Sequence, residues 1–232
     1  MHRYTILAIL VIIWIPVSLK AQTTNGDSHD ASRWADAISA FEKSDIQNPP
    51  PKNAILFVGS SSIRKWDLAS SFPELVTINR GFGGSQMADT VFYVDAVVLK
   101  HQPKSVVVYA GDNDLEKGKT PERIFADFAE FVAVLSMKLP HARIHFIAIK
   151  PSIERWNLIE EVRFTNQLIE AYCQNHDRLN FVDICSPMLT SEGQPDPELF
   201  AEDGLHLSKT GYEIWSKKVM ESLESEVPEA TP

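Results

Sequence analysis

The chain has 232 residues, 44% of them hydrophobic, which is ample for one buried core and short for two full domains. Its formal charge is −9, and it becomes −11 if residues 1–21 leave with Arg3 and Lys20. A balance this acidic excludes attachment to nucleic acid or anionic lipid by charge alone.

In chain order, Met1–Arg3 give a short basic start, Tyr4–Leu19 is almost wholly apolar, and Ala21 follows as a small residue. That is the pattern of a secretory signal, with cleavage expected near Ala21, an exported (periplasmic or secreted) product and no membrane span left after cleavage. Residues 22–50 are expected to hold a polar linker and an amino-terminal helix. Within that stretch Trp34, Ile38 and Phe41 recur at helical spacing over Ala31–Phe41, and Asn48-Pro49-Pro50-Pro51 ends the helix. Residues 51–226 are expected to form the single folded domain. Five apolar runs read as strands: Ala54–Val58, Leu75–Asn79, Lys104–Ala110, Arg143–Ile149 and Asn180–Ile184. Helical stripes lie between them. Met87, Val91, Val94 and Val98 mark one. Thr120-Pro121 caps a second, carried by Phe125, Phe128, Val132 and Leu135 and stopped at Pro140. Leu158, Val162, Thr165, Ile169 and Tyr172 mark a third, and a last helix starts near Lys209 and buries Tyr212, Trp215 and Val219. This alternation predicts an α/β fold: a five-stranded parallel sheet between two helical layers. Cys173 and Cys185 should stand about 10 Å apart across a helix end and a strand, too far to bridge.

In such sheets ligands bind beyond the carboxyl ends of the strands. After the first strand come Gly59-Ser60-Ser61-Ser62; after the second, Gly81-Phe82-Gly83-Gly84-Ser85; after the third, Gly111-Asp112-Asn113-Asp114; and after the fifth, across a longer loop, Asp203 and His206. Each element alone is more often a turn than a site. Their joint position on one rim points to chemistry.

These four blocks, in this order between Ala54 and Val219, resemble those of the SGNH (GDSL-like) hydrolase superfamily. Gly59-Ser60-Ser61 resembles the nucleophile block, with Ser60 where the family usually has Asp. Gly84 resembles the glycine block, Gly111-Asp112-Asn113-Asp114 the Gly-x-Asn-Asp block, and Asp203-Gly204-Leu205-His206 the Asp-x-x-His block. The wider context (GSSSIRKW, DGLHLS) resembles a bacterial subgroup of GDSL-like acylhydrolases. The resemblance implies a flavodoxin-like three-layer fold and a Ser61–His206–Asp203 triad, with Ser60 and Ser62 as alternate registers for the nucleophile. The backbone N–H groups of Ser61 and Gly84 and the Asn113 amide would form the oxyanion hole, glycine at 84 letting substrate approach the backbone. The implied activity is ester hydrolysis through an acyl-enzyme.

No metal or cofactor is expected: the cysteines have no ligand-spaced partners, and no dinucleotide fingerprint occurs. Arg64, Trp66, Lys150 and Arg155, with Trp156, fall on or near the active rim and are candidates for binding a sugar or a carboxylate, with packing the competing role for the tryptophans. Short loops leave little material for a lid, which leans the substrate toward small acyl groups such as acetyl on a carbohydrate. Competing readings are a lysophospholipase or thioesterase on the same triad and an exported carbohydrate-binding module without turnover. A classical α/β-hydrolase lacks its G-x-S-x-G here, and a flavodoxin-type cofactor binder is the alternative if the fold alone is considered.

Overall fold

The structure is a computed structural model that describes residues 30–224. The expected signal segment (1–21) and the start of the linker (22–29) lie outside the described residues. Among the described residues no helix is long and apolar enough to cross a membrane.

A single turn of 3₁₀ helix, Ala31–Trp34, leads into α1 (Ala35–Gln47). There follow β1 (Ile55–Gly59), α2 (Ser61–Arg64), α3 (Leu68–Ser71), β2 (Thr77–Gly81), α4 (Met87–Phe92), α5 (Val94–Val97), β3 (Ser105–Tyr109), α6 (Asp112–Glu116), α7 (Pro121–Lys138), β4 (Arg143–Ile147), α8 (Ile159–Gln174), β5 (Leu179–Val182) and α9 (Lys209–Glu224). The five strands form one parallel sheet in the order β2-β1-β3-β4-β5. Successive strand residues point to opposite faces, so each strand feeds two cores. Leu56, Val58, Val106, Val108, Ile144 and Phe146 enter one core with α1, α4, α5, α7 and α8. Ile55, Phe57, Val107, Tyr109 and Ile147 enter the other, closed by α2, α3 and α9 through Ile63, Phe72, Trp215 and Val219.

The three-layer architecture agrees with the expectation, and three local differences have physical reasons. β2 sits two residues later than expected, because Val76 is exposed and Leu75 turns back on Phe72, while the charged Arg80 enters the strand buried. Arg80 is tolerated there because Asp45 pairs with it, the Asn79 carbonyl accepts from it at 2.8 Å and His101 Nε2 accepts from it at 3.2 Å. The stripe Met87–Val98 is not one helix but two short ones. They break at Tyr93, whose hydroxyl donates to the Ala31 carbonyl at 2.8 Å and whose ring meets Phe82 edge-on. The amino-terminal helix runs six residues past Phe41 and is anchored along its length, with Lys100 Nζ 2.8 Å from Asp45 near its end. Both cysteines are free, and burial pushes both thiols up to about 12.

The α1 anchor titrates. Burial first, and then the Arg80 charge, hold the His101 imidazole down at about 4. A depressed imidazole stabilises the fold fully at neutral pH. As pH falls from the ordinary imidazole value (~6.5), the unfolded chain takes up a proton that the folded chain refuses until about 4. Up to about 3 kcal/mol of stability should be lost over that window. Thermal unfolding at pH 7 and pH 4.5 checks this: His101→Gln, which keeps an acceptor for Arg80, should flatten the pH slope relative to wild type. An unchanged slope would remove His101 as its source.

Candidate active site

The strand order reverses direction between β1 and β3, which opens a crevice at their carboxyl ends. Ser61 leaves β1 at one side of that crevice and Asn113 leaves β3 at the other. Gly59 makes the exit from β1 possible. Its φ is +134°, and a Cβ there would stand 1.9 Å from the Tyr109 carbonyl oxygen, so the backbones of β1 and β3 could not keep this approach with any side chain. The chain then turns into α2, with Ile63 and Arg64 N–H both donating to the Ser60 carbonyl at 3.1 Å. Of the three serines, Ser60 and Ser62 are buried with hydroxyls that have no partner among the described residues. Ser61 alone presents its hydroxyl to an imidazole: His206 Nε2 lies 3.0 Å from Ser61 Oγ.

His206 and Asp203 come from one tight loop. It is closed by an antiparallel bridge between Phe200 and Leu207 and by the Ala201 N–H donating to the His206 carbonyl at 2.8 Å. Asp203 Oδ1 accepts from the Leu205 and His206 N–H groups at 3.0 and 2.8 Å, an Asx turn that fixes the carboxylate. Its other oxygen, Oδ2, lies 2.5 Å from His206 Nδ1. The bond with the His206 ring, and then those two N–H groups, hold the Asp203 carboxyl well below the usual carboxylate range. Asp203 therefore stays ionised at acid pH, and its favourable contribution is lost only as pH falls through that depressed value.

Across the crevice stand the donors. The Ser61 N–H is the first of a helix and has no intrahelical acceptor. The Gly84 N–H has no acceptor among the described residues. Gly84 has φ +78°, and a Cβ on it would meet Trp34 Cη2 at 3.3 Å. Glycine at 84 thus also serves the left-handed backbone and leaves room for the indole packed against it. The Asn113 amide is oriented from two sides. Its Nδ2 donates to the Ser85 carbonyl at 3.0 Å, and its Oδ1 accepts from both Arg155 terminal nitrogens at 3.2 Å. The second Nδ2 hydrogen remains for the crevice.

Three of the four candidates for substrate contact are reassigned. Lys150 is 2% exposed, with Nζ 2.7 Å from Asp112 and 3.0 Å from the Tyr109 hydroxyl. A cation so enclosed is a structural partner, not a substrate ligand. Burial pushes the Asp112 carboxyl up, but Lys150 and Arg155 more than reverse this and leave it lowered. Arg155 is spent on Asn113, Asp112 (3.4 Å) and Glu116 (3.5 Å). Trp66 is also corrected: it packs in the α9-side core against Phe57, Phe72, Tyr212 and Trp215. Arg64 does line the cleft.

That cleft has a volume of about 740 Å³ and brings together Ser61, Arg64, Gly84, Asn113 and His206. One wall was not expected. Trp34, Ala37, Ala40 and Phe41 line it from the amino-terminal segment, with Phe82 beside them. Their helical spacing identified Trp34 and Phe41 only as part of a packing stripe. The missing signal was topological, since a helix that packs beside β2 and α5 reaches the rim where the blocks converge. Among the described residues no group of three or more His, Cys, Asp or Glu side chains is placed to hold a metal ion.

Residues 58–214 match the profile of the GDSL-like lipase/acylhydrolase family. The chain is 27% identical over 198 residues to the Bos taurus platelet-activating factor acetylhydrolase IB subunit alpha1, covering 82% of this chain and 81% of that one. It is 24% identical over 158 residues to an isoamyl acetate-hydrolyzing esterase of Schizosaccharomyces pombe, covering 66% and 63%. Among solved structures, a GDSL-like lipase from Bacteroides thetaiotaomicron superposes with a TM-score of 0.71 at 20% identity, over 85% of this chain and 98% of that one. An acetyl-xylooligosaccharide esterase from Geobacillus superposes with a TM-score of 0.61 at 17% identity, over 79% and 99%.

Proposed function

Because the chain belongs to the GDSL-like lipase/acylhydrolase family, we propose that it is a serine esterase that cleaves carboxylic esters through an acyl-enzyme on Ser61. The observation that carries the proposal is the continuous relay from Ser61 Oγ through His206 to Asp203, at 3.0 and 2.5 Å. A serine hydroxyl is a weak nucleophile and needs a base for its proton. His206 Nε2 takes that proton as Oγ attacks the ester carbonyl, then returns it to the leaving alcohol. Asp203 keeps Nδ1 protonated and stabilises the imidazolium. The developing oxyanion is received by the Ser61 and Gly84 N–H groups and the free Asn113 hydrogen. Water activated by the same imidazole then releases the acid. Because the Asp203 carboxyl is held well below the usual carboxylate range, it stays ionised beside the ring throughout the cycle.

Acetyl is the acyl group with most support. Two similar enzymes carry acetyl or acetate in their names, and a structural neighbour is an acetyl-xylooligosaccharide esterase. A non-catalytic binding module would have no need of the assembled relay. The proposal is checked by labelling with a fluorophosphonate and mapping the modified peptide. One equivalent on Ser61, with loss of p-nitrophenyl acetate hydrolysis, is expected. Labelling at Ser60 or Ser62, or none with turnover intact, would overturn the assignment.

A further inference from the structure

The wall built by the amino-terminal segment is outside the residues that match the family, yet it borders the reacting groups. Trp34 Cη2 is 3.3 Å from where a Gly84 Cβ would stand, and Trp34, Ala37, Ala40 and Phe41 face the same cleft as Ser61 and His206. Along the helix these positions form one stripe in which two alanines lie between two aromatic rings. The small residues leave a slot, and the rings close its ends. From residue 34 to residue 41 the slot is about 10 Å long at ~1.5 Å per residue.

The slot is fixed in place. Tyr93 holds the Ala31 carbonyl at 2.8 Å, Arg33 donates to the Gly84 carbonyl at 3.2 Å, the Trp34 ring meets Phe82 edge-on at 5.7 Å, and Asp45 pairs with Arg80 and Lys100. A groove held at both ends is present before substrate arrives, so binding does not have to order it.

Its chemistry is apolar, and one face of each of its aromatic rings is already covered. The Arg33 guanidinium lies over the Trp34 ring at 4.5 Å, and the Arg80 guanidinium over the Phe41 ring at 5.0 Å. A sugar ring needs an open aromatic face to stack on, whereas a hydrocarbon chain needs only an apolar channel. The charged residues Arg33, Asp36 and Arg64 line the cleft around this channel.

We infer that the slot along α1, bounded by Trp34 and Phe41, binds a hydrocarbon chain of the ester substrate. This rests on the esterase reading and narrows it to esters with an apolar tail. With acetyl as the acyl group the tail belongs to the alcohol, and two substrate series separate this from a tail on the acyl group. One runs from p-nitrophenyl acetate to the octanoate, the other from ethyl acetate to octyl acetate.

In one series kcat/KM should rise with chain length, by up to about fourfold for each methylene buried. Ala37→Leu, which fills the slot without removing an anchor, should lower the long-to-short ratio of kcat/KM in that series by about tenfold or more. Ile46→Ala, on the outward face of the same helix at 81% exposure, should leave the ratio unchanged. Thermal unfolding of both variants establishes that they fold. If both series are flat in the wild type, or the ratio survives Ala37→Leu, the slot does not bind a chain, and the esterase reading stands untouched. If no ester in either series is hydrolysed, the esterase reading fails and takes the slot with it.

Discussion

Replacing Ser61 by alanine is expected to lower kcat for p-nitrophenyl acetate by on the order of 10⁴–10⁶-fold, and replacing His206 by alanine should cost a similar factor. The double variant should be hardly worse than either single one, because the hydroxyl and the imidazole act as one unit across their 3.0 Å contact. Ser60→Ala and Ser62→Ala provide the contrast. Both hydroxyls are buried and unpartnered among the described residues, so their removal should leave kcat within a few-fold of wild type. Steady-state assays of all five proteins, with circular dichroism to verify folding, decide the matter. A dead Ser60→Ala beside an active Ser61→Ala would move the nucleophile by one residue and break the geometric argument. Strictly additive losses for Ser61 and His206 would mean that they do not share a proton.

The second large effect concerns the oxyanion. Asn113→Ala should lower kcat by about 10²–10³-fold with little change in KM, the usual loss when one preorganised donor is removed. The structure adds a subtler expectation at Arg155. An asparagine amide can present either its oxygen or its nitrogen, and the wrong orientation would aim a carbonyl dipole at the oxyanion. Arg155 prevents this by donating both terminal nitrogens to Oδ1 at 3.2 Å. Arg155→Met should therefore reduce kcat by on the order of 10–10²-fold through misorientation. In the Asn113→Ala background the same change should add little, since there is no amide left to orient. A full additional loss in that background would show that Arg155 acts on substrate or fold directly rather than through Asn113.

Much of this was legible before any coordinates. Chemistry in an open α/β sheet gathers where strands end, so finding Gly59, Gly84, Asn113 and His206 after their strands was enough to group them. What was not legible follows from interactions between distant residues. Arg80 disguised the end of β2, because a charge in a doubly covered strand looks wrong until Asp45, thirty-five residues earlier, is seen beside it. Lys150 and Arg155 read as rim cations because both follow β4, yet the buried Asp112 carboxylate draws both inward. Trp34 and Phe41 have the spacing of core residues. They do pack, and they also face the cleft, a double use that periodicity cannot reveal. The break at Tyr93 likewise depends on a bond to Ala31, sixty-two residues away.

The Asp203 side chain is 49% exposed, and that of His206 20%. Solvent thus reaches the Asp203–His206 pair from its outer side without any segment having to move. Once the first alcohol has departed, bulk water at its full concentration is the nearest competitor for the bound acyl group. An added alcohol or amine would have to outcompete it at millimolar concentration. On the proposed acyl-enzyme mechanism, such an architecture would partition its intermediate toward the free acid and so would suit degradation of esters rather than their exchange or synthesis.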